Sequence, residues 1–296
     1  MNLGGDIVKK KIFLQIAVLA LMASTACIIA SSGLDGAAAS PATDFMAAAL
    51  RNQETACGAS LEIRYRHIGH DVNEGKVAPA VNIHYIRTPD ALFVEQELPS
   101  NSPEAPSNPK ESFDRKTGEY KLLLPDVNNK STGMVRGYLH GFFLNQDFVE
   151  TTQYHLFEGV LWELIERGVV GKEQDQIDGH SCWRIEVLST RDAIDKYVIW
   201  VDPAIGFCPR RVEVYWKTVA PQVINFKDYK EISTGVWFPM EHTVDLNTAK
   251  GRKLHVVSIV DKVEVGREIP KSELLVQFPS GTKVRMGKPA IVYTVP

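Results

Sequence analysis

Eight histidines, four cysteines and scattered carboxylates are the residues of this 296-residue chain that could do chemistry. The histidines invite a metal site, and His67 with His70 is the tightest spacing among the first three. On a strand and its turn, residues three apart point to opposite faces, so the two do not converge on one ion. His84 is the nearest third candidate, and no acidic residue completes a motif. His140 and His155 flank an aromatic cluster and read as polar rim residues. A hydrolase of the G-x-S-x-G kind needs a nucleophile elbow, and the sequence has none. P-loop and dinucleotide fingerprints do not occur either. Asp192 with Asp195 falls in a turn, and Glu163 with Glu166 on an exposed helix face. Solvated charge fits them better than acid–base work. The expectation is a non-enzymatic protein with no cofactor and no metal.

The cysteines depend on where the chain resides. Lys9, Lys10 and Lys11 precede an apolar run from Ile12 to Ala30, and small residues lead to Ala37-Ala38-Ala39. A basic region, an apolar stretch and an A-x-A site form a secretory signal, with cleavage expected after Ala39 or near Ala30 to Ser32. The rival is a membrane anchor, because the apolar run approaches spanning length. Lipidation at Cys27 is the weaker reading, since Ser24-Thr25-Ala26 lacks the apolar residue expected three before it. Cys57, Cys182 and Cys208 remain in residues 40–296. Export would allow one disulfide, with Cys182 and Cys208 the preferred pair. The alternative is three buried small apolar side chains. Cys208 lies beside Pro209 and two arginines, which could lower its pKa; a structural cysteine on a strand is the better reading.

Composition excludes some partners. The net charge of −3 argues against a nucleic acid held through its phosphates. A 44% hydrophobic content over this length is enough to bury a sizeable core, and no boundary forces a second domain.

Several elements would position a site. Phe45, Met46, Ala49 and Leu50 recur at helical spacing from Asp44 to Gln53. Leu61, Ile63 and Tyr65 alternate with charged residues on a first strand, and Val81, Ile83 and Tyr85 make the next. The turn Arg87-Thr-Pro89-Asp90 leads into a strand at Leu92 to Leu98. Pro99 to Lys110 is a proline-rich loop. A hairpin turns at Lys116-Thr117-Gly118. Met134 to Gly168 breaks the β rhythm with Tyr138, Phe142, Phe143 and Phe148, then a helix expected over Thr151 to Glu166. Short strands then follow from Val169 to Val265, divided by Asp-Pro and Ser-Thr-Gly turns. Pro209 and Pro239, which lack a ladder N–H, suggest strand starts or edges. The fold class expected is mainly β with a helical insertion.

With its motifs in order, the chain resembles the periplasmic lipoprotein-sorting carrier superfamily, the LolA/LolB-like group. The phrases that carry the resemblance are Arg87-Thr-Pro89-Asp90, Asp114-x-x-x-Gly118 and Gly179-x-x-Cys182. Trp200-Val-Asp202-Pro203 running to Gly206 and Pro209 follows, then Trp237-Phe-Pro239. Glu268-Ile-Pro270 and Phe278-Pro279-x-Gly281 complete the set, which spans most of residues 60–281. The resemblance implies a half-open antiparallel β-barrel, a strongly curved sheet covered by helices, with acyl chains of a lipid or acylated protein in an apolar cavity. The long segment 134–168 and the Pro99 to Lys110 loop depart from a compact carrier.

The combined expectation is an exported carrier or sensor in the periplasm or cell envelope, with a lid near residues 134–168. Tyr65 and Tyr85 from the sheet, with Phe142, Phe143, Phe148, Leu161 and Trp162 from the lid, are the expected ligand contacts. The alternative is an envelope interaction module with a filled barrel that binds a partner protein through its loops and strand edges.

Overall fold

The structure is a computed structural model that describes residues 41–58, 60–97, 108–114, 116–124, 131–136, 155–156, 159–247, 251, 253–287 and 291–296. The first helix, α1 (Pro41–Ala56), leads into β1 (Leu61–Asp71), the short β2 (Lys76–Val77), β3 (Val81–Arg87) and β4 (Ala91–Glu97). A second hairpin is β5 (Lys110–Asp114) with β6 (Glu119–Leu124), and β7 (Thr132–Arg136) adds to it. A two-residue pair, β8 (His155–Leu156) and β9 (Gly159–Val160), precedes α2 (Leu161–Glu166).

The meander that follows is β10 (Val169–Ile177), β11 (His180–Leu188), β12 (Ile194–Asp202), β13 (Cys208–Trp216), β14 (Gln222–Ser233), β15 (Val236–Asn247) and β16 (Lys253–Val265). One turn of helix, α3 (Lys271–Leu274), then leads to β17 (Lys283–Met286) and β18 (Ile291–Thr294). All strands but β8 and β9 join one 16-stranded sheet, in the order β10 through β16, then β1, β3 to β7, β17 and β18, with β2 beside β1. The sheet is curved and open: β10 and β18 are its two edges. Every neighbour is antiparallel except β7 with β17. Register shifts at Arg64/Tyr65, Trp200/Val201 and Glu231/Ser233 mark bulges, which bend a strand and increase its twist.

The turn motifs of the sequence are scaffold. Asp202 accepts a hydrogen bond from Ala204 N at 2.8 Å, Pro203 starts a 3₁₀ turn, and Gly206 ends it in the left-handed region at φ +67°. A Cβ at Gly206 would collide with the Gln53 amide. Asp114 accepts from Lys116 N and Thr117 N at 2.9 and 3.2 Å, and pairs with Lys271 at 2.8 Å. That lysine above all holds its carboxyl at a pKa of about 2. Each aspartate satisfies turn N–H groups that would otherwise need water.

Four sequence expectations are corrected. The helix over Thr151 to Glu166 begins only at Leu161, because Gly159 and Val160 are poor helix formers and pair as a strand with His155 and Leu156. Met134 and Val135 belong to the sheet strand β7 and do not break the β rhythm. Cys57, Cys182 and Cys208 are all buried free thiols. Cys208 shares a core with Val212 and Phe226, while Cys182 lies in a separate cluster with Val198 and Trp200, so the two do not meet. Finally, neither proline marks a sheet edge: Pro209 is the second residue of β13, at the strand start that the sequence suggests, whereas Pro239 lies inside β15. Pro209 sits at the β12–β13 bulge, and Pro239 opposite Tyr229 before pairing with β16 begins at Glu241. Each avoids a ladder bond where the ladder is already broken.

The helices share one core with the β10–β15 half. Met46, Ala47 and Leu50 of α1 and Leu161, Leu164 and Ile165 of α2 are buried with Ile185, Ile199, Val212 and Phe226. Each large side chain so buried contributes about 1.5–3 kcal/mol. Phe45 stays at the rim, edge-on to Phe207 at 5.5 Å. Among the described residues, no helix is long and apolar enough to cross a membrane.

Candidate functional site

The same side of the other half of the sheet presents a second apolar cluster. Leu61, Ile63 and Tyr65 of β1 stand across from Arg87, Tyr85 and Ile83 of β3, which in turn face Leu92, Val94 and Gln96 of β4. Tyr120 and Leu122 of β6 continue the surface, and Phe238 and Val260 close its other flank. Alternation puts these side chains on one face of each strand. Ile232 and Val265 touch both clusters, so the two halves form one continuous apolar face.

The structure separates the residues singled out from the sequence. Tyr65 and Tyr85 are together in the β1–β6 cluster, 1% and 3% exposed. Leu161 is wholly buried between the helices and the β10–β15 half. Trp162 is half-buried beside it: its Nε1–H donates to Glu54 Oε2 at 3.0 Å, and the Arg51 guanidinium lies 3.8 Å over its ring. Arg51 also pairs with Glu166 at 2.6 Å, and Arg87 with Glu54 at 2.8 Å. Burial works against the charge of Arg87, but Tyr85 and Glu54 together hold its pKa above the ordinary value. A polar opening of about 190 Å³ lies at this junction, lined by Glu54, Ser60, Arg87 and Thr88. Phe142, Phe143 and Phe148 lie outside the described residues.

A buried glutamine ties α1 to the sheet. Gln53 donates to Ile205 O and Gly206 O at 3.0 and 2.8 Å, and its Oε1 accepts from Trp237 N at 2.9 Å and Cys208 Sγ at 3.4 Å. Burial raises the pKa of the Cys208 thiol, against the lowering that its arginine neighbours suggested. Burial likewise pushes Cys182 up to about 11. Neither is a reactive thiolate.

A polar row crosses the apolar face. His67, Ser258, His242 and Phe226 are successive cross-strand partners on β1, β16, β15 and β14. His67 Nδ1 lies 3.2 Å from Ser258 Oγ, and His242 stacks on Phe226 at 5.1 Å. Burial, aided by His67, lowers the pKa of His242 to about 3, so its ring stays neutral over most of the pH range. His67 and His70 share one strand at an odd offset, and no group of metal-ligating side chains forms among the described residues.

At the far end the face opens. A cavity of about 270 Å³ is walled by Leu122 and Leu124 of β6, Met134 of β7 and Val292 of β18. Lys283 and Arg285 of β17 stand at its rim, in register with Thr132 and Met134. Sequence reasoning missed this site. Its signals were the alternation Tyr120-x-Leu122-x-Leu124 and the two cations of Lys283-x-Arg285, which nothing local joins.

No family model matches the chain, and no curated protein matches it. Among solved structures it is similar to an outer membrane lipoprotein-sorting protein domain from Vibrio parahaemolyticus, at 13% identity and a TM-score of 0.45 over 77% of this chain and 94% of that one. A DUF1329 family protein from Desulfovibrio piger gives 10% identity and 0.48 over 79% and 96%. A LolA superfamily protein from Nitrosomonas europaea gives 10% and 0.49 over 78% and 97%.

Proposed function

We propose that the chain is an exported, non-enzymatic carrier or sensor that holds acyl chains of a lipid or of an acylated protein against the apolar face of its sheet. One observation carries this reading. The apolar opening at the β6–β7–β17–β18 end is continuous, through Leu122 and Met134, with the buried cluster around Tyr65 and Tyr85. An open sheet whose apolar face reaches solvent at one end offers a chain-shaped guest a route inward. Burial contributes about 0.8 kcal/mol per methylene, so about ten methylenes give roughly 8 kcal/mol, near micromolar before association costs. In this reading Phe142, Phe143 and Phe148, with Leu161 and Trp162, are further ligand contacts, as the sequence suggests. The basic and apolar N-terminal run from Lys9 to Ala39 supports export to the periplasm or cell envelope.

The test is mass spectrometry of an organic extract from the protein purified without detergent. A stoichiometric lipid is the expected result. A clean blank from folded protein sinks the reading and favours the second one, an interaction module with a filled core. That alternative rests on the near-complete burial of Tyr65 and Tyr85 and on the exposed edge strand β18.

A further inference from the structure

We infer that the opening beside β17 selects a single-chain amphiphile with an anionic head group, a free fatty acid or its close analogue. This rests on the carrier reading above and adds to it the class of head group. On the face that lines the opening, one rung runs Leu124, Thr132, Lys283 and the next Leu122, Met134, Arg285, Val292. Alternate residues on a strand lie about 6.7 Å apart, so the two cations stand side by side at the rim, each at the end of an apolar rung. Neither Lys283 nor Arg285 has an ion-pair partner among the described residues, and both are exposed. By contrast, Arg184, Lys196, Arg210 and Arg211 of β11 to β13 each pair with a carboxylate.

The apolar surface converges on the same corner. Leu124 and Val292, 37% and 65% exposed, share this face with Lys283 and Arg285, and Leu122 and Met134 continue it inward. An apolar wall beneath two unpaired cations is complementary to a carboxylate with a hydrocarbon tail. The guanidinium can take a carboxylate through two parallel N–H···O bonds, and the ammonium adds a point charge. Size points to one chain. At about 270 Å³ the cavity falls just below the range of about 300–1,000 Å³ of ordinary small-ligand sites. The opening takes the first part of one chain, and the remainder follows the apolar face inward past Leu122 and Met134.

The experiment compares oleate with oleyl alcohol, which share a tail and differ in charge, by titration calorimetry on the full chain. Oleate is expected to bind about tenfold more tightly, and the advantage to shrink with added salt. The double variant Lys283→Glu with Arg285→Glu is expected to lose that advantage while binding oleyl alcohol as before. Leu124→Asp, at a half-exposed wall position, should weaken both ligands with its urea midpoint near that of the native chain. Equal binding of the two ligands to the native chain, or an oleate advantage that survives charge reversal, overturns the head-group assignment and leaves the carrier reading standing. Binding of neither ligand overturns both.

Discussion

Strands β11 to β13 and strands β7, β17 and β18 lie toward opposite ends of one sheet, and they dispose of charge differently. On the outer side of the first group, Glu186 takes Arg184 at 2.9 Å and Lys196 at 2.8 Å, with Lys196 the main reason its pKa falls. Glu213 takes Arg211 at 2.5 Å and accepts from the Tyr215 hydroxyl at 2.6 Å, which raises the tyrosine's pKa. Trp200 Nε1–H donates to Asp175 at 2.7 Å. Deeper in, Arg210 grips the buried Asp202 through Nε and a terminal nitrogen, at 3.0 and 2.9 Å. At the other end, two cations border an apolar wall and answer to no anion of the described chain. The difference marks the open end, where cations and an apolar wall coincide, as the candidate site.

The sharpest way to break the comparison is at Arg210. Asp202 is 2% exposed, so Arg210→Ala leaves a buried carboxylate with only the His180 ring, 3.6 Å away, as an ion-pair neighbour. We expect a loss of about 3–5 kcal/mol in urea unfolding, because removing one partner costs far more than the pair contributes. A loss below about 1 kcal/mol would show that this end is no more dependent on pairing than the open end.

The next effect is set by pH. His242 is buried in the apolar face with a folded pKa of about 3 against an ordinary 6.5. The unfolded chain therefore binds a proton between those values that the folded chain refuses. Stability from this group is complete above pH about 6.5 and falls by about 1.4 kcal/mol per unit as pH drops toward 3. His242→Leu should flatten that part of the profile in chemical unfolding measured from pH 7 to 4. An unchanged slope would mean that the ring is protonated in the folded state.

A smaller effect probes the joint between α1 and the sheet. Gly206→Ala places a Cβ at positive φ against the Gln53 amide. Left-handed backbone costs an L-residue about 1–2 kcal/mol, and displacing Gln53 adds lost hydrogen bonds. In a Gln53→Ala background the same substitution should cost only the backbone part. Equal costs in both backgrounds would show that the close approach contributes nothing.

Much of this architecture is legible in sequence because strands repeat with period two over short windows. Every strand from β10 to β16 follows from alternation such as Val212-x-Val214 and from turns such as Asp202-Pro203 and Thr234-Gly235. The failures share a cause. Gly159-Val160 reads as helix because the apolar residues around it also fit a 3.6 period, and only pairing with His155-Leu156 decides. The helix α1 was visible, but not that Gln53 on its buried stripe would meet Gly206 and Trp237. The open end was illegible because its walls come from β6 and β7 and, some 150 residues later, from β17 and β18. A parallel pairing between β7 and β17 leaves no local trace, and Lys283-x-Arg285 alone resembles any solvated edge.

The smallest expected effect sharpens the comparison from its other side. If Lys283 and Arg285 are unpaired because a ligand rather than the fold employs them, removing their charge should scarcely touch stability. Exposed cations without partners contribute within about 0.5 kcal/mol, so Lys283→Ser and Arg285→Ser should each unfold in urea within that margin of the native chain. Their stems matter little too, since both side chains are exposed and β17 is held by its ladders to β7 and β18. A loss above about 1 kcal/mol in either variant would mean that the cation steadies the sheet edge. The contrast with Arg210 would then be one of degree, and the case for a ligand at this corner would lose its electrostatic half.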